Sequence, residues 1–270
     1  LQRSTIVSLD LGTLCDITTI GNGVLVMAKE LTSFKMPRTM AKLTTIGDEF
    51  LANSGVAGSL TLRNCLQLTT IGNKFCHWCT NLREVDLDEM RSLRTIGNSF
   101  GEHAGVKTVR FSGECPSLAS IDANFLSYSQ VSSLVFESFP RRLVKLGTGF
   151  CTHCCNLRHF PACEQLLRNL TSIDREFASD SGLNGTLAPE SLPICIVNSV
   201  SPSLLKPYRS AASNDAIKAF TVANAARSLK EKAPILPWRE WIDCAIVGVV
   251  MILLWTAGVW ISVVYSKKKE

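Results

Sequence analysis

A five-residue phrase, Leu-x-x-Ile-Gly or a close variant, recurs along this chain at an almost constant spacing. The steps between its anchor positions are 26, 25, 25, 25, 25 and 27 residues. A fixed period of this length indicates stacked supersecondary units, each too small to bury its own apolar face. The anchors are Ile20, Ile46, Ile71, Ile96, Ile121, Leu146 and Ile173. We therefore expect function to reside on an extended surface rather than in one pocket.

Further apolar residues stand at fixed distances from each anchor. An aliphatic residue precedes each anchor by three positions, and a residue that is Phe in six of the seven repeats follows it by four. These positions are expected to form one continuous core. The preceding set is Ile17, Leu43, Leu68, Leu93, Leu118, Leu143 and Leu170, and the following set is Val24, Phe50, Phe75, Phe100, Phe125, Phe150 and Phe177.

Each repeat also contains a short alternating segment. Val85 and Leu87 flank Asp86, which is typical of a half-buried strand. The segment from an anchor to the next strand has apolar residues at i, i+4 and i+8, which favours a short helical turn on the opposite wall. The matching strand pairs are Leu9 and Leu11, Phe34 and Met36, Leu60 and Leu62, Val109 and Phe111, Leu134 and Phe136, with Phe160 and Ala162 as a weaker seventh. We predict an α/β solenoid of about seven repeats over residues 1–190.

The repeats resemble the BspA-like, or Treponema-type, class of leucine-rich repeats. The segments LTSFKMP at 31–37, LTTIG at 43–47 and 68–72, and FCHWCTNL at 75–82 match its pattern. The resemblance implies a right-handed leucine-rich-repeat solenoid with a parallel sheet on its concave side. It also implies surface proteins that bind other proteins or adhere to cells, and the chain looks most like the membrane-anchored forms of kinetoplastid protozoa. The chain departs from the class in lacking Ala before Phe, and the class's Cys position is filled only by Cys79 and Cys154.

The repeat pattern stops near residue 190. Residues 191–241 are predicted to form a cap and a stalk, with a helix over 214–233 that ends at Pro234. That helix is either a plain stalk or a partner-binding helix. The chain starts at Leu1 with neither Met nor a signal segment, so we expect a mature form or a fragment of a longer repeat array.

An uncharged run of 22 residues, from Cys244 to Tyr265, predicts a transmembrane helix over 242–265. Aromatic residues at both ends and the basic tail 266–270 predict a cytosolic C-terminus, with the repeats outside or in a lumen. A buried helix of a soluble domain and a cleaved lipid-anchor signal are the competing interpretations. The tail charge contributes to the net charge of +5, so the exterior part is nearly balanced and gives no case for nucleic-acid binding.

The chain contains 11 cysteines, ten of them outside the predicted span. Cys163 and Cys195 flank the end of the array and are a candidate disulfide. Cys79 and Cys154 occupy the same repeat offset and are predicted to be buried thiols. The two CxxC segments lie three repeats apart, about 14 Å at the usual strand spacing, so they cannot share a zinc ion and no metal site is expected.

Two sequons, at Asn169 and Asn184, are candidate glycosylation sites in the predicted exterior domain. No sequence motif for hydrolase, metalloprotease, nucleotide or dinucleotide chemistry is present. We therefore expect a protein that is not an enzyme, with no cofactor and no small-molecule substrate. His77, His103 and His153 fall on the wall at similar offsets, which is more typical of packing or solvation than of acid–base chemistry.

The strand residues that alternate with the core are the candidate binding residues for a protein or glycan on the concave face. The alternative is an ordinary solvated sheet with weak surface ion pairs. The candidates are Arg63, Glu84, Asp86, Asp88, Arg110 and Glu137.

Two functions agree with this organisation. The first is a cell-surface adhesion or protein-binding ectodomain on a single-pass anchor. The second is a luminal protein of the endoplasmic reticulum, because Lys267 and Lys268 stand where a dilysine retrieval signal requires lysines. These lysines would otherwise serve only to stop transfer. A fragment without function is the third alternative.

Overall fold

The computed structural model describes residues 2–206, apart from 39, 63, 64, 139, 171, 172, 175, 184, 189–191, 198 and 199. Backbone contacts divide the chain into two units, Leu1–Pro207 and Tyr208–Glu270, and the described residues belong to the first. No helix within the described ranges has the length and apolarity to cross a bilayer. The predicted stalk helix, membrane span and basic tail lie outside those ranges.

The first unit is a stack of short parallel strands joined by turns. Two-residue strands at the first six anchors alternate along the chain with six longer strands at the alternating segments. The strands are β1 (Ser8–Asp10), β2 (Thr19–Ile20), β3 (Ser33–Lys35), β4 (Thr45–Ile46), β5 (Gly58–Leu62), β6 (Thr70–Ile71), β7 (Leu82–Asp88), β8 (Thr95–Ile96), β9 (Thr108–Ser112), β10 (Ser120–Ile121), β11 (Ser133–Phe136) and β12 (Lys145–Leu146).

The two kinds of strand form separate sheets. The two-residue strands pair in the order β12-β10-β8-β6-β4-β2, whereas the longer strands form a pair, β1-β3, and a four-stranded sheet, β11-β9-β7-β5. Anchor lies beside anchor in every short pairing, as in Ile71 beside Ile96. The six predicted long strands are confirmed, and the weaker seventh is reduced to one parallel bridge between Ser133 and His159. The sheet at the anchors was not predicted.

The core lies between the two sheets, and the predicted positions line it. Four of the anchors, Ile46, Ile71, Ile96 and Ile121, are fully buried. Phenylalanine side chains stack through the array, with ring centroids 4.9 Å apart between Phe75 and Phe100 and 5.1 Å apart between Phe100 and Phe125. Because each repeat places the same side chain one strand spacing further on, the core is continuous and no repeat buries its apolar face alone.

The prediction of a helical turn on the opposite wall is wrong. The wall consists of turns in which alternate residues take positive φ, for example Cys76 (51°) and Trp78 (57°). The N–H groups of these two residues point to different repeats. That of Cys76 donates to the carbonyl of Phe50 in the preceding repeat at 2.9 Å, and that of Trp78 donates to the carbonyl of Glu102 in the following repeat at 2.9 Å. A left-handed conformation costs about 1–2 kcal/mol for a non-glycine residue. The hydrogen bonds between repeats offset that cost, since buried backbone groups must be paired.

Glycine follows five of the seven anchors, and in four of these five it reflects close contact between repeats. A Cβ atom on Gly97 would stand 2.7 Å from the carbonyl carbon of Gly72 and 2.8 Å from the backbone nitrogen of Asn73. Real Cβ atoms do not approach backbone so closely, so the turn into the wall excludes a side chain at this point.

The end of the array is covered by short helices. Helix α1 spans Cys163–Asn169 and buries Leu166 and Leu167. Helix α2 (Ile194–Val197) and a 3-10 turn (Pro202–Leu204) follow, and the buried residues there include Ile196 and Leu204. These side chains close the core at the last repeat.

Candidate interaction surfaces

The four-stranded sheet presents a row of charged side chains on its outward face. In this sheet Glu84, Asp86 and Asp88 alternate with the buried Val85 and Leu87 on β7. Arg110 stands at the middle of β9, and Glu137 directly follows β11. We call Glu84, Asp86, Asp88, Arg110 and Glu137 the acidic face, because four of its five members are carboxylates. Period-2 alternation places them all opposite the core.

Contacts join members of the acidic face across neighbouring strands. Arg110 Nη1 lies 3.7 Å from Glu84 Oε1, and the Oγ of Ser112 donates a hydrogen bond of 2.6 Å to Asp86 Oδ1. The side chains of Arg110 and Glu84 are 43% and 39% exposed. An ion pair this exposed contributes at most about 1 kcal/mol, so it leaves both charges open to a partner.

Glu137 lies apart from that cluster. Its Oε2 accepts a hydrogen bond of 2.8 Å from the backbone N–H of Gly113, at the end of β9. Asp88 pairs in register with Ser112. The sixth candidate, Arg63, lies outside the described residues, so its part in the surface stays a prediction.

The remaining predicted sites are only partly placed. Asn169 is exposed as the last residue of α1, which leaves its amide accessible, and its use as a glycan acceptor stays a prediction. Asn184, Lys267 and Lys268 lie outside the described residues. Cys163 is buried, while the side chain of Cys195 is not described, so their pairing also stays a prediction.

Cysteines at matching offsets lie in the core. Cys79 and Cys154 are buried, as predicted, and their thiols donate to the carbonyls of Leu51 at 3.0 Å and Leu126 at 2.9 Å. Burial raises the pKa of Cys76 well above its ordinary value, and it raises the pKa of Cys163 to about 12. The thiols of Cys76 and Cys163 are therefore protonated and unreactive at neutral pH. Within the described ranges, no cluster of three or more His, Cys, Asp or Glu side chains suits a metal ion.

A second surface lies on the wall of turns, where four rings stack in one column. Ring centroids are 4.5 Å apart between Trp78 and His103, 4.8 Å between His103 and Tyr128, and 4.5 Å between Tyr128 and His153. The planes are inclined by 23°, 12° and 24°, so the rings stack face to face. We call these four residues the aromatic column.

The aromatic column is open to solvent. Trp78 is 46% exposed and Tyr128 is 51% exposed. Sequence reasoning placed His103 and His153 at one offset of the wall but missed Trp78 and Tyr128. The signal was present, because all four residues stand seven positions after an anchor, and each takes positive φ between 55° and 57°. Their side chains therefore leave the backbone in the same direction.

Comparison with known proteins identifies the repeats. No curated protein matches the chain. A crystal structure of a leucine-rich repeat protein from Bacteroides ovatus ATCC 8483 is similar, at 15% identity over 65% of this chain, with a TM-score of 0.36. The chain spans 44% of that protein. The model of the BspA type leucine rich repeat region matches residues 3–132 and 44–184, with six copies. The chain therefore belongs to the BspA-type leucine-rich repeat family.

Proposed function

We propose that this chain is a non-catalytic, membrane-anchored ectodomain that binds a protein partner through the acidic face. The observation that carries the proposal is the outward row of linked charges on β7 and β9, where Glu84, Asp86 and Arg110 contact one another or Ser112 across the strands. A sheet whose outward side chains are held by contacts with one another offers a partner a preorganised surface, which lowers the entropy lost on binding.

The sign of the charge favours one class of partner. Four carboxylates and one guanidinium compose the acidic face, so a protein with exposed Lys and Arg side chains is the complementary ligand. Electrostatic complementarity of this kind speeds association and determines orientation more than it adds affinity. Binding should therefore weaken steeply with salt, because exposed charges are screened over about 10 Å at 0.1 M ionic strength.

Sequence supports the anchor in this proposal. The uncharged segment 244–265 is long enough to span a bilayer, and Lys267 to Lys269 follow it directly. In that arrangement the repeats lie outside the cell and only a short tail reaches the cytosol. Display, adhesion or recruitment then suits the chain better than signalling by its own tail.

The binding proposal is tested with the full chain carrying a photo-crosslinking amino acid at Val135, which lies beside Arg110 on β11, the edge strand of the four-stranded sheet. We expect protein adducts that disappear when Glu84→Gln and Asp86→Asn are combined. Glu30→Gln is the matched control, because Glu30 is an exposed carboxylate in the turn before β3. Adducts that survive the double change, or adducts to glycan alone, would contradict a protein partner on the acidic face.

The second candidate function is that of a luminal endoplasmic reticulum protein, favoured by Lys267 and Lys268 near the C-terminus. Antibody staining of an ectodomain tag on intact and permeabilised cells separates the two. Signal on intact cells supports surface display. Signal only after permeabilisation, together with a rise in surface signal when Lys267→Ser and Lys268→Ser are combined, supports retrieval instead.

A further inference from the structure

The aromatic column is an exposed feature that the acidic face does not explain. Within the described part of the chain, the ring nitrogen of Trp78, the imidazole of His103 and the hydroxyl of Tyr128 make no hydrogen bond to protein. The residues that contribute most of the binding energy at protein interfaces are enriched in tryptophan and tyrosine. His153, the fourth member, has one partner, because its Nδ1 lies 3.4 Å from Asp180 Oδ2, but its side chain is still 40% exposed. A row of such exposed side chains therefore indicates a docking surface.

The stacking limits what can dock. Sugar rings and nucleobases bind aromatic side chains through ring faces, but here the faces of His103 and Tyr128 are covered by their neighbours in the column. The accessible parts are the ring edges, which carry the N–H and O–H groups. A ligand must therefore contact a row of ring edges whose ring centroids are 4.5 to 4.8 Å apart.

The spacing itself selects a partner. An extended peptide advances about 3.3 Å per residue, so its side chains fall out of step with the column after one ring. A second solenoid of the same repeat advances by the same step as the first. A match at one ring then holds at every following ring.

Two copies of the column, placed side by side in opposite directions, present complementary hydrogen-bonding groups to each other. Turned about a two-fold axis between His103 and Tyr128, the column places Trp78 opposite His153 of the other copy and His103 opposite its Tyr128. Indole N–H is only a donor, whereas neutral imidazole and phenol offer both a donor and an acceptor. Every pair in this arrangement therefore has a donor and an acceptor.

The flanking residues at the same offset agree with that arrangement. Asn53 precedes the column and Asp180 follows it, and both are exposed. Asp180 Oδ2 lies 3.4 Å from His153 Nδ1 of its own chain, yet the Asp180 side chain stays 71% exposed and keeps acceptor capacity for a second donor. The reversed register sets the amide of Asn53 against the carboxylate of Asp180 from the other copy. A parallel register would instead set the two Asp180 carboxylates together, and like charges repel.

We propose that the aromatic column is a self-association site, on which a second copy of this chain docks antiparallel about a two-fold axis between His103 and Tyr128. The interface is isologous, so each ring pair occurs twice, and the assembly closes at two copies. It uses the wall of turns, so the acidic face of each copy stays open for a partner.

The test uses two tagged copies of the full chain, co-expressed and extracted in mild detergent, with capture on one tag and detection of the other. Trp78→Ala combined with Tyr128→Ala should lower co-capture by about tenfold or more, the loss expected from removing two aromatic anchors. Leu66→Ala combined with Val144→Ala is the matched control, since these apolar side chains are 40% and 47% exposed outside the column. Unchanged co-capture in the Trp78 and Tyr128 variant would overturn the proposal.

A charge-pairing experiment tests the register and does not depend on one variant folding. Copies with Trp78→Lys and copies with His153→Glu should each self-associate weakly, whereas a mixture of the two should recover co-capture. Recovery requires residue 78 of one copy to face residue 153 of the other. Failure of the mixture to recover co-capture would refute antiparallel self-association. A photo-reactive residue at position 128 gives a second check, because the antiparallel register places it opposite residue 103 of the other copy. Cross-links that reach only position 128 of the other copy, or only a different protein, would also refute the proposal. Changes to the acidic face should leave co-capture unaltered, which separates this result from the partner-binding experiment.

Discussion

The side-chain amide of Asn98 donates to the Oδ1 of Asn73 at 3.0 Å, and the backbone N–H of Asn98 donates to the same oxygen at 2.9 Å. Asn73 repeats both contacts toward Asp48, at 3.1 Å and 2.7 Å. The relay begins at Asn22 and ends at the backbone N–H of Ala123. It thus satisfies the first N–H of the wall in successive repeats, two residues after each anchor.

Replacing Asn73 by Ala should lower the free energy of unfolding by about 1 kcal/mol, the usual net value of a protein hydrogen bond. The change removes the acceptor for two donors of Asn98 and the side-chain donor to Asp48, while the backbone N–H of residue 73 still donates to Asp48. Chemical unfolding of the detergent-solubilised chain would measure it. Asn81→Ala is the control, because Asn81 is exposed outside the relay. Equal stability of the two variants would show that the relay contributes nothing.

Ile96→Asp should unfold the array. Ile96 is fully buried at the centre of the short-strand sheet, and an unpaired carboxylate there costs several kcal/mol. Circular dichroism and thermal melting report the loss. Arg94→Asp places the same charge at an exposed position two residues earlier and should melt close to the parent protein. An unaltered melting curve for Ile96→Asp would contradict the assigned core.

Ser99→Gly should stabilise the chain by up to about 1 kcal/mol, because Ser99 has φ of 60° and glycine takes this conformation without strain. Gly149 occupies the same offset in a later repeat, with φ of 70°. Its replacement by Ala should act in the opposite direction, since the added Cβ would also lie 2.6 Å from Asn124 Oδ1. Chemical unfolding measures both variants, and we expect the midpoint to rise for Ser99→Gly and to fall for Gly149→Ala. Midpoints that shift in the same direction in the two variants would argue against this backbone geometry.

Stability should fall as the pH drops below about 6.5, the ordinary pKa of histidine. Burial lowers the pKa of His77, and the nearby Glu102 only partly opposes this effect. A lowered pKa means that the unfolded chain takes up a proton at a pH where the folded chain does not, so stability present above pH 6.5 is lost on acidification.

His77→Gln should reduce this loss between pH 7 and the lowered pKa, as measured by melting temperature across that range. The other charged groups that act on His77, namely His103, Lys74 and Glu49, are retained in the variant. His159→Gln is the control, because His159 is exposed. A pH dependence that is the same in all three proteins would show that His77 is not responsible.

The repeat period was sufficient to predict the core, the six long strands and the parallel stacking. Ile96, Phe100 and Leu93 are buried as their spacing predicted, because a side chain that recurs once per repeat meets its own equivalent in the next repeat. The acidic face was predicted from the alternation of Glu84 and Asp86 with Val85 and Leu87. Which of those charges contact one another depends on the register of β7 with β9, and alternation alone does not give a register.

Apolar residues at i, i+4 and i+8 correctly predicted burial of Ile71, Phe75 and Cys79, but not the conformation between them. A helix satisfies its backbone groups within one segment, whereas this wall satisfies them between repeats, as when Trp78 donates to Glu102. Whether the wall forms a helix or turns therefore depends on residues in the neighbouring repeats, about 25 positions away in sequence. The sequence by itself therefore determined which residues are buried and that the repeats stack. Only the tertiary structure decided that the wall is formed by turns, that the anchors form a second sheet, and that Trp78, His103, Tyr128 and His153 become one column, because each arises from hydrogen bonds and contacts between repeats.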